Sequence, residues 1–361
     1  MDRFIVAGIE AVAKFGVDNV SVQFVSDLAK GSRPTFYSYF GDINGLLAEI
    51  WVAGSAVWLE QVSNPAVGYS KWNSTDKQLH CAMSEILAVA HRIPEVNEVV
   101  QLTMQDWWSQ YAKSTELEKL RVYWLIAERL GVSITEPVDP DVHKAEFIER
   151  AIIALTPEVV SKLSEPLKLP KLSDPDLENE SLDVKLLQSS IYIIANSGVK
   201  ATSMARIARR TQVSTGAVYP RYSSTEEIVE ASFELAISKI VRQNFATVSK
   251  MSFSAEDFGI IVMAGLEEGR KTWRNFRIEI HLGARSRPSL SKRMKRNLRE
   301  TNAVVAGGLR MISPPELANG PVPYLMHAVG IGFAILQNAG LPVAKVDHRV
   351  ITVGLTNLIN A

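Results

Sequence analysis

Near the start of the chain, apolar side chains recur at helical spacing. Phe4, Ile5, Ile9, Val12 and Ala13 share one side of a helix that stops at Gly16. Glycine suits the left-handed residue that closes a helix. Ser21 then stands at an N-cap, ahead of a short second helix whose apolar residues include Val22 and Val25. A turn follows, and Ser32 caps a third helix with Arg33, Pro34 and Thr35 in its first turn. Proline is tolerated there because first-turn N–H groups have no helical partner. The pattern predicts helix, glycine, capped short helix, tight turn and capped short helix, which is helix-turn-helix grammar.

The same pattern returns further along. Adding 182 to a position in the first stretch gives its partner in the second: Ile9 and Ile191, Ala13 and Ala195, Gly16 and Gly198, Val17 and Val199, Ser21 and Ser203, Ser32 and Ser214, Tyr37 and Tyr219. Apolar character is kept at Phe4/Leu186, Val12/Ile194, Val25/Ile207, Phe36/Val218, Leu46/Ile228 and Leu47/Val229. A long period repeated twice indicates duplicated domains and not a solenoid. Between the copies, residues 164–182 carry Pro166, Pro170, Pro175 and a run of acids, and read as an exposed linker. The predicted division is therefore 1–182 and 183–361, with heads at about 1–47 and 183–229. Nearly all of the remainder has helical periodicity, so the fold class is all-α.

These residues resemble the DNA-binding region of TetR-family transcriptional regulators. The elements are Gly16-Val17, Ser21, Val25, Ser32, Thr35, Phe36, Tyr37 and Phe40, repeated as Gly198-Val199, Ser203, Ile207-Ala208, Ser214, Ala217, Val218, Tyr219 and Tyr222. The resemblance implies two TetR-like units in tandem. Each would have a three-helix head and a helical body that binds a ligand and dimerises, so that one chain forms a fused pseudo-dimer. Lys30 and Gln212 stand where the family usually has glycine in the turn, with Gly31 one place late. A residue with a side chain costs ~1 kcal/mol in a left-handed turn. Ile43 and Thr225 replace a phosphate-holding lysine of the family, and Pro220 is placed to end the second recognition helix early.

A recognition helix enters the major groove with small or hydrogen-bonding residues at its tip. The first offers Arg33, to a guanine edge or a phosphate, and Thr35, to a thymine methyl. The second offers Thr215, Gly216 and Ala217 for close approach, followed by Tyr219 and Arg221. The resemblance implies that Tyr37 and Tyr219 give their hydroxyls to phosphates and that Ser21 and Ser203 serve both as caps and as backbone contacts. Residues 202–222 hold Arg206, Arg209, Arg210 and Arg221 with no acid, whereas residues 1–50 hold four basic and six acidic groups. Phosphate neutralisation dominates affinity, so the second head is expected to bind DNA more strongly.

The 361 residues carry a formal net charge of +0, but the charge is unevenly placed. Residues 1–182 contain 16 Lys+Arg and 26 Asp+Glu, and the remainder 23 and 13, so the halves attract and only the second suits a polyanion. The basic stretch 285–299 reads as a surface helix of the second body, a candidate to face the acidic first half. One cysteine, Cys81, fits a reducing compartment. No apolar run approaches the ~18–20 residues of a membrane span, and there is no signal-peptide pattern, so a soluble cytoplasmic protein is expected.

In the bodies, Trp107, Trp108, Tyr111 and Trp124 in the first half and Trp273, Phe276 and His281 in the second either pack a core or line an apolar effector pocket. The apolar helices near the C-terminus are expected to pair with 145–163 or between chains, so further homodimerisation is open. No metal-spaced His/Cys cluster, nucleophile elbow or phosphate-binding glycine loop is present. His80, Cys81 and His91 on one expected helix supply too few ligands for a metal. No catalytic residue, metal or cofactor is assigned. The leading expectation is a DNA-binding regulator, a repressor responsive to a ligand, reading double-stranded DNA at two unlike half-sites. One alternative leaves DNA to the second head, with the first half as partner or sensor. The other is a ligand-binding or interaction module whose heads have lost DNA.

Overall fold

The computed structural model describes residues 1–66, 68, 71–140, 181–248, 264–309, 322–345 and 349. These form an all-α protein, with no strand among the described residues. The first half contributes α1 (Asp2–Phe15), α2 (Val22–Leu28), α3 (Arg33–Phe40), α4 (Ile43–Ser63), α5 (Ser74–Val89), α6 (Pro94–Ser109) and α7 (Glu116–Thr135). The second contributes α8 (Leu182–Ser197), α9 (Met204–Thr211), α10 (Thr215–Val218), α11 (Thr225–Val248), α12 (Lys271–Ala284), α13 (Pro288–Leu309) and α14 (Val322–Asn338). The linker up to residue 180 and the segments 145–163 and 350–360 lie outside the described residues. Among those described, no helix is long and apolar enough to cross a membrane.

Local chemistry sets the boundaries in both heads. Ser21 Oγ accepts from Phe24 N at 3.2 Å, Ser203 Oγ from Arg206 N at 3.3 Å, and Ser32 Oγ from Thr35 N at 3.2 Å. Ser214 departs from expectation. It holds the cap position of α10 without a side-chain cap hydrogen bond. Gly16 and Gly198 end α1 and α8 as expected, but not in the left-handed helical conformation. Their φ/ψ values are 81/150 and 79/163, a region that only glycine enters readily.

The two turns are built alike. Lys30 (φ 49) and Gln212 (φ 61) are the non-glycine residues of positive φ among those described, and they fall at matching places in the repeat. The turn geometry is thus kept without the glycine. Gly31 has a different reason to be glycine: a Cβ there would strike the ring of Phe4, which packs edge-on against Phe36 at 5.9 Å. Lys30→Gly and Gln212→Gly are each expected to raise stability by about 0.5–1 kcal/mol, since relief of the left-handed strain outweighs the added backbone entropy. Urea unfolding checks this, and a loss of stability in both variants would count against it.

One hydrophobic core runs through the first half and takes in residues of the second. Phe4, Phe36, Trp51, Trp58 and Trp124 pack in the same cluster as Ile278, Leu282, Val329, Ile331 and Phe333. The second head has a small core of its own, centred on Leu186, Met204, Ile207, Val218 and Ile228. Helix α14 packs on α7; the expected pairing with 145–163 falls on residues outside those described. Contact is closest where the Ala328 carbonyl meets Gly131 and the Ala127 carbonyl meets Gly332, so neither glycine has room for a Cβ. These two pairs are reciprocal: adding 201 to Ala127 and Gly131 gives Ala328 and Gly332.

A second reciprocal arrangement lies beneath the heads. Adding 194 to Glu85, Ile86, Ala90 and Pro94 gives Glu279, Ile280, Ala284 and Pro288, so α5 and α12 correspond. Arg285, just past α12, pairs with Glu85 and donates from Nη2 to the Ala13 carbonyl at 2.8 Å. His91, at the corresponding place past α5, donates from Nε2 to the Ala195 carbonyl at 3.1 Å. Each half thereby holds the end of the other half's first head helix. Arg92 adds bonds from Nε to Glu279 at 2.7 Å and from Nη2 to Asp18 at 2.8 Å. Glu279 is fully buried, and burial pushes its carboxyl up to about 8 against the pull of Arg92. His91 lies beyond α5, in a short 3-10 turn, and not on the same helix as His80.

Only part of the basic stretch 285–299 faces the first half. Arg285 does, but Arg293 pairs with Glu230 and Glu234 on α11 at 3.0 and 2.8 Å. Arg296 also reaches Glu234, at 3.4 Å.

Candidate nucleic-acid interface

The two helices expected to enter DNA, α3 and α10, both stand at the surface. Helix α3 has eight residues, buries Phe36 and Phe40, and turns Arg33 and Tyr37 outward, with Tyr37 53% exposed. Tyr39, at 50%, is similarly exposed and was not singled out by the sequence pattern. Thr35 is half-buried, and its hydroxyl is engaged with Ser32 Oγ at 2.8 Å, so its methyl is the part left to face a base. Helix α10 has four residues and buries Val218. Pro220 lacks the N–H that would continue it, and Arg221 and Tyr222 bond back to the Val218 carbonyl at 2.9 and 3.1 Å. Thr215, Gly216 and Tyr219 are exposed and Ala217 is half-buried. A Cβ on Gly216 would meet only Ser214 Oγ at 3.6 Å, so this tip is open.

The arginines of the second head are less free than their sequence suggests. Arg206 folds back, from Nη1 to the Ala201 carbonyl at 2.8 Å and from Nη2 to Ser197 Oγ at 3.2 Å. Arg221 pairs with Asp183 at 2.9 Å, so α8 supplies an acid that the 202–222 segment lacks. Arg210 lies over the ring of Tyr192, 3.2 Å from its centroid. All three remain exposed, as does Arg209. Such pairs are weak at a surface and exchange readily for phosphate. Ser21 and Ser203 are committed as caps, with Ser21 exposed and Ser203 half-buried. The helices that follow start at Ile43 and Thr225. Asp42 caps the first of them by accepting from Gly45 N at 3.0 Å, and Ser224 caps the second by accepting from Glu227 N at 3.1 Å. An acid stands at the start of both of these helices, since Glu227 Oε2 accepts from Ser223 N at 2.6 Å and from Ser223 Oγ at 2.7 Å.

Residues 186–232 match the family model of bacterial regulatory proteins, tetR family. The tetR match spans α8 to the start of α11, the second head alone. The chain is also similar to the crystal structure of a transcriptional regulator from Rhodococcus sp. Rha1, at 19% identity over 50% of this chain and 96% of that one, with a TM-score of 0.42. No curated protein matches the chain.

The expected effector residues are not gathered at one place. Trp108 stacks on Tyr123 at 4.1 Å, with Trp107 and Tyr111 each 5.2 Å or more from their ring neighbours. The hydroxyl of Tyr123 is buried with no hydrogen-bond partner among the described residues, and burial holds its proton tightly. Trp124 packs edge-on against Phe333 of α14 at 5.1 Å. Trp273 and Phe276 belong to the core of the second body, and His281 pairs with His327. None of the seven lines the cleft of about 190 Å³ between the heads, where Asp18, Asn19, Glu85, Lys200 and Arg287 meet. His80 is buried, accepting from Trp58 Nε1 at 3.0 Å and donating to the Arg129 carbonyl at 3.1 Å. Among the described residues no group of three or more His, Cys, Asp or Glu is placed to hold a metal.

Proposed function

We propose that the chain is a DNA-binding transcriptional regulator built as an intrachain pseudo-dimer of units 1–182 and 183–361. On this reading it is a ligand-responsive repressor acting on double-stranded DNA in the cytoplasm, and not an enzyme. The observation that carries the reading is the tetR match at 186–232 on a head whose recognition tip, Thr215 to Ala217 with Tyr219, faces solvent. The pseudo-dimer is supported by the reciprocal contacts: Ala127/Gly332 with Ala328/Gly131, and His91 with Arg285. They give the halves the relation that a two-fold gives separate subunits.

Selection from a random DNA pool tests it. The expected winner has two unlike half-sites about 34–36 Å apart, bound with a steep salt dependence. Tyr219→Ala is expected to weaken binding about tenfold, the value of one good phosphate or base contact. The narrower reading, in which only the second head binds, is favoured by the family match stopping at that head. It predicts a single half-site and no effect of Arg33→Ala with Tyr37→Ala. Absence of any salt-dependent binding would leave the interaction-module reading in place of both.

A further inference from the structure

The second body contains a cluster of polar groups that DNA binding does not use. Arg277 and His281 on α12 and His327 on α14 form a closed chain of hydrogen bonds. Arg277 Nη2 donates to His327 Nδ1 at 3.2 Å and to the His327 carbonyl at 3.3 Å. His327 Nε2 donates to His281 Nε2 at 3.2 Å, and His281 Nδ1 donates to the Arg277 carbonyl at 2.7 Å. In this placement of protons every ring nitrogen has a complementary partner, and both imidazoles are neutral. Burial favours the same state, holding His281 at about 4 and His327 well below the usual histidine value.

The guanidinium is left with open donors. The hydrogens on Nη1 and Nε of Arg277 have no acceptor among the described residues, and no carboxylate among them faces the group. The charge that does act on it is another cation, Arg270, which together with burial pulls Arg277 down to about 10. Arg277 and His327 remain half-buried, so these donors can be reached. Gly330 leaves clearance beside it: a Cβ there would lie 3.6 Å from Nη2 and 3.8 Å from Nη1.

The first half shows that this fold does not need polar groups here. On the 194 and 201 registers of α5/α12 and α7/α14, Arg277, His281 and His327 stand where Met83, Leu87 and Ile126 stand in the first half. Those three are 0%, 1% and 0% exposed and pack as ordinary core. A cation and two imidazoles are less favourable in such a place than an apolar trio, unless something completes them.

We propose that Arg277, held in position by His327 and His281, receives the carboxylate of a small organic anion bound in the second body. With Nη2 held by His327, the Nε hydrogen and the Nη1 hydrogens remain as charge-assisted donors to carboxylate oxygens. His327 fixes the plane of the guanidinium, and His281 fixes the tautomer of His327. The site deepens the ligand-responsive reading above by naming the effector as an acid and the second body as the sensor.

Melting of the full chain, without DNA and at fixed ionic strength, tests this. The probes are acetate, benzoate and octanoate, with benzamide and octanamide as uncharged controls. At a hundredfold excess over Kd the best carboxylate is expected to raise Tm on the order of 5 °C, and its amide not at all. The triple variant R277M/H281L/H327I installs residues already packed at the corresponding sites of the first half. It is expected to melt at or above the ligand-free wild type and to ignore carboxylates. Arg277→Lys keeps the charge but loses the planar donors that His327 holds in place, and is expected to bind at least tenfold more weakly. An equal response to the amide, a triple variant that responds like the wild type, or no response to any of the three carboxylates overturns the proposal. Because DNA is absent, that failure leaves the operator reading standing, and a failed DNA selection beside a positive melting shift sinks only the operator reading.

Discussion

Gly332→Leu is expected to force α7 and α14 apart and to lower stability by roughly 3 kcal/mol or more, the upper range for overpacking a filled core. The Ala127 carbonyl occupies the space a Cβ would need, and both partners are backbone, so no side-chain rotation relieves the clash. Separation also opens the contact between Trp124 and Phe333 and the shared core around Val329 and Ile331. Gly131→Leu should behave alike, because the Ala328 carbonyl stands over Gly131 in the same way. Gly330→Ala, two residues away on α14 with its nearest neighbour 3.6 Å from the added carbon, is the control and should cost little. The measurement is the urea midpoint of each variant. An unchanged midpoint for both leucine variants would mean that the helix crossing contributes little to the native state.

Arg92→Met carries the second large effect, about 3–5 kcal/mol of destabilisation. The substitution keeps the length and apolar stem of the side chain but removes the guanidinium that joins Glu279 to Asp18. Glu279 is then left fully buried, with its principal counter-charge gone and one oxygen already without a hydrogen bond among the described residues. Measured at about pH 9, where Glu279 beside Arg92 is ionised, losing one side of the buried pair either leaves the charge desolvated or forces the carboxyl to take up a proton, and both cost more than losing the pair. Glu279→Gln in the Arg92→Met background should therefore recover most of the loss, and the double-mutant cycle isolates the coupling. If the double variant is no more stable than Arg92→Met alone, the cost lies in packing around Gly198 and not in the stranded carboxylate.

The sequence was legible where structure is local. Ser21, Ser32 and Ser203 could be named as caps because the bond runs to the backbone three residues on and depends on little else. Pro220 could be named as the end of a helix because the missing N–H is its own property. Ser214 shows the limit, since it has the right residue at the right place and makes no side-chain cap bond. The arginines of the second head could be counted but not placed: Asp183 lies in an earlier helix, and only folding brings it to Arg221. The bodies were harder still. The shift of 182 that relates the heads becomes 194 at α5/α12 and 201 at α7/α14, because connections of unequal length reset the register between helices. On the 182 shift Glu85 has no relation to Glu279, and the reciprocal bonds beneath the heads are invisible.

What the sequence determined by itself is therefore the all-helical class, the matched helix signals 182 positions apart and the uneven division of charge. Each follows from periodicity, capping and composition, which act over a few residues or over sums. The tertiary structure alone decided which side chains of one half hold the other, and it set a cation and two imidazoles together where the first half keeps apolar packing. Those outcomes depend on contacts between residues far apart in the chain, and pairings of that kind leave no periodic trace along it.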